Sequence, residues 1–234
     1  GIATLHRYYA PEIPVRTPMG VSKGNKGVIA STLATLAEFP DRQLFAEDVI
    51  WSGDEDAGFL SSHRLLTTMT HTGPGAFGPP TGRRAVVRVI ADCAAKDNAI
   101  YDEWLVRDYG GLVRQLGHEP SDWARRLIAA EGGTETAARP YTPATDLPPV
   151  YEGTGNDHPL GADYADSLRR IMDADLAHVL SDWDRAAIGQ YAGAREEIGR
   201  EAIARFWTEL RSAFPSARFT VHHRIGMDGE MMPL

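Results

Sequence analysis

The segment YDEWLVRDYGGLVRQLG, residues 101–117, concentrates side chains able to do acid–base chemistry. Read as a strand, it puts Tyr101, Glu103 and Leu105 on one face and Asp102, Trp104 and Val106 on the other. A Glu103 carboxyl facing an apolar interior would have its pKa raised toward neutrality, which suits a general base. At a solvated rim it would be an ordinary surface charge, and both readings stand on the sequence alone. Asp108 falls where strand gives way to a short helix. There it is expected to be an N-cap accepting the amide of Gly110 or Gly111, with a catalytic role as the other reading. Arg107 and Arg114 are expected to be solvated or paired with Asp108.

A second set comes from the strand LSSHRLLTTMTH, residues 60–71. Ser61, His63, Leu65, Thr67, Met69 and His71 alternate with the other six, and neither face is cleanly apolar, which fits a sheet lining a polar-edged pocket. His63 and His71 share a face but stand more than about 25 Å apart along an extended strand, too far to share a metal. His222 and His223 point to opposite faces, so no metal site is expected there either. His63, Met69, Trp51, Tyr101 and Leu105 are candidate pocket residues, although Trp51, Trp104 and Tyr101 also read as core. Arg16 would suit a carboxylate or enolate oxygen, because its fork donates two parallel hydrogen bonds. Cys93, in AVVRVIADCAA, reads as a buried thiol. No phosphate-binding loop, nucleophile elbow or zinc motif is present.

Composition narrows the partners. The 234 residues carry a net charge of −8, with 24 basic residues scattered among 32 acids. That balance argues against a nucleic-acid partner, which needs clustered Lys and Arg. No apolar run has the length of a bilayer span, and no signal-peptide pattern follows Gly1. One cysteine excludes an internal disulfide. A cytoplasmic protein with no nucleic-acid or membrane partner is expected.

The elements that must position these residues follow from periodicity and breakers. A helix over 25–39 ends at Phe39-Pro40, because Pro40 lacks the amide proton a continuing helix would use. Strands are expected at 43–52, 59–72, 83–95 and 99–106, with a Gly/Pro-rich connection at 73–84 and a hairpin turn at 96–98. A last helix is expected to be capped by Ser121 and stopped at Gly132-Gly133. Residues 24–55 and 199–230 also match at a constant offset of 175: Gly24 with Gly199, Phe39-Pro40 with Phe214-Pro215, Ile50 with Ile225, Glu55 with Glu230. Each copy reads as helix, Phe-Pro stop and strand. Between them, residues 132–161 form a Pro/Gly/Thr-rich linker able to wrap a surface. A helix over 163–180 opens the second unit. The expected division is a first domain at 1–131, the linker at 132–161 and an incomplete second unit at 162–234, truncated at both ends relative to two full domains.

These pieces bear a family likeness. Tyr8-Tyr9-Ala10-Pro11-Glu12, Phe39-Pro40-Asp41, Pro79-Pro80-Thr81-Gly82-Arg83, and Glu103-Trp104 followed by Asp108 and 112–117 (LVRQLG) resemble the SnoaL-like polyketide cyclases and ester cyclases of the nuclear transport factor 2-like superfamily. The resemblance spans residues 5–117 and, more weakly, 163–230. It implies an α+β cone: a curved mixed β-sheet wrapped around helices, with a pocket at the wide end. It also implies intramolecular aldol chemistry by a pocket carboxylate, with no metal or organic cofactor. Counted back from LVRQLG, the family's cyclase carboxylate falls at Leu105, leaving Glu103 or Asp108 to act as base. His71 aligns with a histidine of the cyclases, and Arg16 lies near one of their polar pocket residues. The expected function is a cofactor-free cyclase or isomerase for a small hydrophobic, ketone-like molecule. The alternatives are a non-catalytic ligand-binding or dimerisation module and a pocket hydrolase. A homodimer or intramolecular pairing of the two units is expected.

Overall fold

The computed structural model describes residues 2–139 and 141–228. A six-stranded mixed sheet forms the first unit: β1 (Pro14–Thr17), β2 (Gly20–Lys23), β3 (Gln43–Asp54), β4 (Gly58–Thr70), β5 (Arg84–Lys96) and β6 (Ala99–Arg107), in the order β2-β1-β6-β5-β4-β3. All pairs are antiparallel except β1 with β6, where Val15 meets Glu103 and Arg16 meets Trp104. The long strands start and end within two residues of their expected bounds. β1 and β2 are too short for their alternation to show in the sequence. The β5–β6 turn takes the two left-handed residues, Asp97 and Asn98, that a two-residue hairpin requires.

Helix α1 (Leu5–Tyr8) leads into the sheet, and α2 (Asn25–Glu38) follows β2. Gly24 precedes α2 with φ of 89°, a conformation costly for any residue with a Cβ. Beyond β6, α3 (Tyr109–Gln115) and α4 (Pro120–Ala130) close one end of the sheet. Helix α4 starts with Pro120 in its first turn and has no side-chain cap, so Ser121 does not take the expected role. Phe39, Met69, Phe77, Ala85, Val87, Leu112, Val113 and Leu116 fill this closed end, with Trp123 stacked on Phe77 at 5.6 Å.

The second unit holds α5 (Pro159–Met172), α6 (Ala177–Asp182), a hairpin of β7 (Ile188–Tyr191) and β8 (Arg195–Ile198), and α7 (Arg200–Ala213). The continuous helix expected over 163–180 is broken: Ala174 turns left-handed with φ of 66°, and its amide folds back on the Ile171 carbonyl. Ile171, Val179, Ile203 and Ala204 make a separate small core. Gly199, 175 residues beyond Gly24, has φ of 85° and stands before a helix of the same 14-residue length. The strand expected after Pro215 does not join a sheet. After a turn at 215–216, residues 217–228 hold no regular element apart from an isolated bridge from Arg224 to Gly155.

The linker is a strap across the outer face of the sheet. Arg16 and Asp102 form a buried ion pair there. Arg16 also donates to Asp146 at 2.8 Å and to the carbonyls of Leu147 and Pro148. Asp102 accepts from the amides of Val150 and Tyr151 at 2.7 and 3.0 Å. His223 packs against Trp104 and Tyr151 on the same face. Among the described residues no helix is long and apolar enough to cross a membrane.

Candidate functional site

The pairing register arranges the inner face of the sheet in rows. Trp51, Ser61, Cys93 and Glu103 make the first; Val49, His63, Ala91 and Leu105 the second; Ala46, Leu65, Val89 and Arg107 the third. Leu44, Thr67 and Val87 make the fourth, and Met69 with Ala85 reaches the closed end. At the open end Phe59 and Ala95, one pleat beyond Ser61 and Cys93, border a cleft of about 650 Å³ with Tyr8, Glu55 and Ile100. The free edge of this face is apolar and open: Leu44, Val49 and Trp51 are 52%, 41% and 47% exposed.

Glu103 is the chemically distinctive residue here. Its side chain is 5% exposed, and neither a hydrogen bond nor an ion pair joins it to any described residue. Burial raises its pKa to about 7, with the Arg107 charge working weakly the other way. Half of it is therefore the free base near neutral pH. Burial, and secondarily Glu103, also push the Tyr9 phenol and the Cys93 thiol well up, so both stay protonated. Tyr9 is anchored beside this row by a bridge to Ile100. Burial lowers the pKa of His63, leaving a neutral imidazole one row away.

The other expected site residues are elsewhere. Arg16 faces the outer side, opposite Glu103, where its guanidinium is consumed by Asp102 and the strap. Burial disfavours its charge, but the hydrogen bonds to Asp146 and Asp102 outweigh that and raise its pKa. Asp108 caps α3, accepting from Gly111 at 2.9 Å, and its carboxylate also accepts from Gly193 and Ala194 in the β7–β8 turn at 2.7 and 2.6 Å. All three donors are backbone amides, so the carboxylate ties α3 to the β7–β8 turn. Neither Arg107 nor Arg114 is paired with it.

His71 is fully buried in the closed end, its ring 5.2 Å from Phe39 and 6.3 Å from Phe77. The Thr81 amide donates to its Nδ1, which turns the Nε2 proton toward Glu38, 3.9 Å away. Ten residues, roughly 33 Å of extended chain, separate His71 from Ser61 in the Glu103 row. Met69 belongs to the same packed core. Tyr101 sits in a β-bulge between the Ala94–Asp102 and Ala95–Ile100 pairs, which turns it to an outer cleft of about 630 Å³ with Val150 and Tyr151. Of the expected set, Glu103, His63, Trp51 and Leu105 share the inner face, with Met69 at its packed, closed end. Tyr9, Arg42 and Arg107 are additions that sequence reading missed. Among the described residues no group of three His, Cys, Asp or Glu side chains is placed to hold a metal ion.

A family model, the SnoaL-like polyketide cyclase, matches residues 2–116. This part of the chain belongs to that family. The SnoaL-like domain thus comprises the whole curved sheet with α1, α2 and α3. Solved structures similar to it include IdmH from Streptomyces antibioticus, described as a candidate polyketide cyclase. It is 25% identical, with a TM-score of 0.43, over 50% of this chain and 86% of that one. TsrD from Streptomyces laurentii is 26% identical, with a TM-score of 0.43, over 50% and 82%. A SnoaL-like protein from Jannaschia sp. CCS1 is 17% identical, with a TM-score of 0.45, over 51% and 80%. No curated protein matches the chain.

Proposed function

We propose that the inner face of the SnoaL-like domain is a cofactor-free carbon-acid site, a cyclase or isomerase with Glu103 as general base. The observation that carries this reading is a buried carboxyl with a pKa of about 7, unpaired among the described residues, one pleat from the Phe59 and Ala95 pair that borders the open-end cleft. A base poised at the working pH combines a useful fraction of free carboxylate with enough basicity to take a proton from carbon. Glu103 removes a proton α to a ketone, and the electron pair moves onto the carbonyl oxygen as an enolate. In a cyclase the enolate carbon bonds to a second carbonyl of the same molecule, whose oxygen takes a proton. In an isomerase the proton returns to another carbon. Tyr9, held protonated, is the nearby donor for the enolate oxygen. Leu105, where the family's carboxylate is expected, lies one pleat along the same face, so the base has moved by two residues without changing sides.

The test is solvent exchange. In D₂O at pD 8 the chain should speed loss of the methyl proton signal of a small aryl ketone such as acetophenone, and Glu103→Gln should abolish the effect. Equal exchange by Glu103→Gln and the unaltered chain would reject Glu103 as the base.

We also infer that residues 159–228 are an incomplete second copy of the unit, paired with the first at its outer face. The matched glycines and equal helices at the 175-residue offset support the copy, and the packing of His223 on Trp104 supports the pairing.

A further inference from the structure

Two arginines, Arg107 of the inner face and Arg42 just before β3, lack side-chain partners among the described residues. Arg107 ends the third row, beside Val89. Arg42 stands one residue before β3, in the turn after α2, where its amide donates to the Phe39 carbonyl. Arg107 lies at the end of β6 and Arg42 just before β3, with β5 and β4 between those strands in the sheet. Both are half-buried, and no hydrogen bond or ion pair joins either guanidinium to any described residue. Burial, and then the Arg107 charge, lower the pKa of Arg42, so the two guanidiniums are near enough to repel.

Glu103 feels the Arg107 charge without pairing with it, and the other acids around them are committed elsewhere. Asp41 accepts the Thr70 amide, Glu47 pairs with Arg88 and Arg64, Glu38 accepts the Phe77 amide, and Asp108 holds its three amides. Between the two arginines, on the fourth row, the Thr67 hydroxyl is buried and without a hydrogen-bond partner among the described residues. Two like charges drawn out of water, with an unsatisfied hydroxyl between them, form an arrangement that an anion completes.

We propose that Arg42, Arg107 and Thr67 form an anion-binding subsite, and that the ligand of this face carries a carboxylate. Its chemical class is an aryl or polyketide-like keto acid. Resting on the reading of Glu103 as base, the subsite fixes the ligand's direction. The carboxylate lies on the arginines, the apolar body crosses Val49, His63, Ala91 and Leu105, and the ketone meets Glu103. The row of Arg107 lies four residues, ~13 Å of strand, from that of Glu103, a span that an arginine side chain and a short chain of methylenes bridge together.

The experiment is binding of 4-benzoylbutyrate, an aryl ketone separated from a carboxylate by three methylenes, against its methyl ester, by calorimetry in low salt. It is run on the Glu103→Gln chain, so that binding is measured apart from turnover. The acid should bind at least about tenfold tighter than the ester, as expected for a charge-assisted pair. Arg42→Gln and Arg107→Gln, each checked for folding by circular dichroism, should bring the two ligands level, and Arg42→Lys should keep part of the preference. Equal binding of acid and ester, or a preference untouched by either glutamine variant, would overturn the subsite. Acid preference without acetophenone exchange would leave the subsite standing and remove the catalytic reading; exchange without acid preference would do the reverse.

Discussion

Asp102 and Glu103 are neighbours on one strand, yet their carboxyls lie on opposite sides of the sheet with opposite surroundings. Asp102 is fully buried and fully satisfied: Arg16 pairs with it, and two strap amides donate to it. Glu103 is nearly as buried and has no hydrogen bond or ion pair with any described residue. The period of two along a strand produces this division. One carboxyl fastens the linker to the outer face, and the other is buried on the inner face with no hydrogen bond or ion pair to any described residue.

Replacing each should therefore act in opposite directions. Asp102→Asn leaves Arg16 buried without its main counter-charge and should cost about 3 kcal/mol or more in urea denaturation, because one partner of a buried pair is removed. It should also free the strap, seen as faster cleavage within 141–151 by a non-specific protease. Unchanged stability and cleavage would mean that Arg16 and the strap do not depend on Asp102.

Glu103→Gln should stabilise the protein, and only at higher pH. The folded-state pKa of about 7 lies above the ordinary glutamate value of 4.5. Between those values the folded chain binds more protons than the unfolded one, so wild-type stability falls as pH rises through that window. At 1.36 kcal/mol per unit the loss is at most about 3 kcal/mol, complete above pH 7. Thermal unfolding at pH 5 and pH 8 should show the variant gaining on the wild type at pH 8. A gap independent of pH would mean that Glu103 does not titrate differently on folding.

Asp108→Ala should loosen the second unit as well as α3. Removing the cap costs about 1 kcal/mol, and the amides of Gly193 and Ala194 lose their acceptor at the same time, for a total of about 2 kcal/mol. Hydrogen exchange should quicken at Gly193 and Ala194 together with Gly111. Quickening at Gly111 alone would confine Asp108 to helix capping.

Much of this was readable from the sequence where the cause is local. The long strands announce themselves by alternation, Asp108 by its place between a strand and Gly110-Gly111, and the opposite facing of Asp102 and Glu103 by period-two geometry, which leaves open which of the two faces inward. What failed was long-range or lacked a residue signal. Arg107 beside Asp108 suggests a pair in one dimension, but Asp108 bends into the α3 cap and takes amides from 85 residues away. Arg16 looked available because its partner Asp146 lies 130 residues on, in a stretch without periodicity. Tyr101 left its expected face through a bulge, and the break at Ala174 uses a left-handed residue with no glycine to mark it.

The most direct measurement is a ¹³C NMR titration of the Glu103 carboxyl, assigned by its loss in Glu103→Gln. A midpoint near 7, matched by the pH at which ketone exchange reaches half its plateau, is the expected result. A midpoint near the ordinary 4.5 would contradict it and leave the inner face without a base suited to carbon acids.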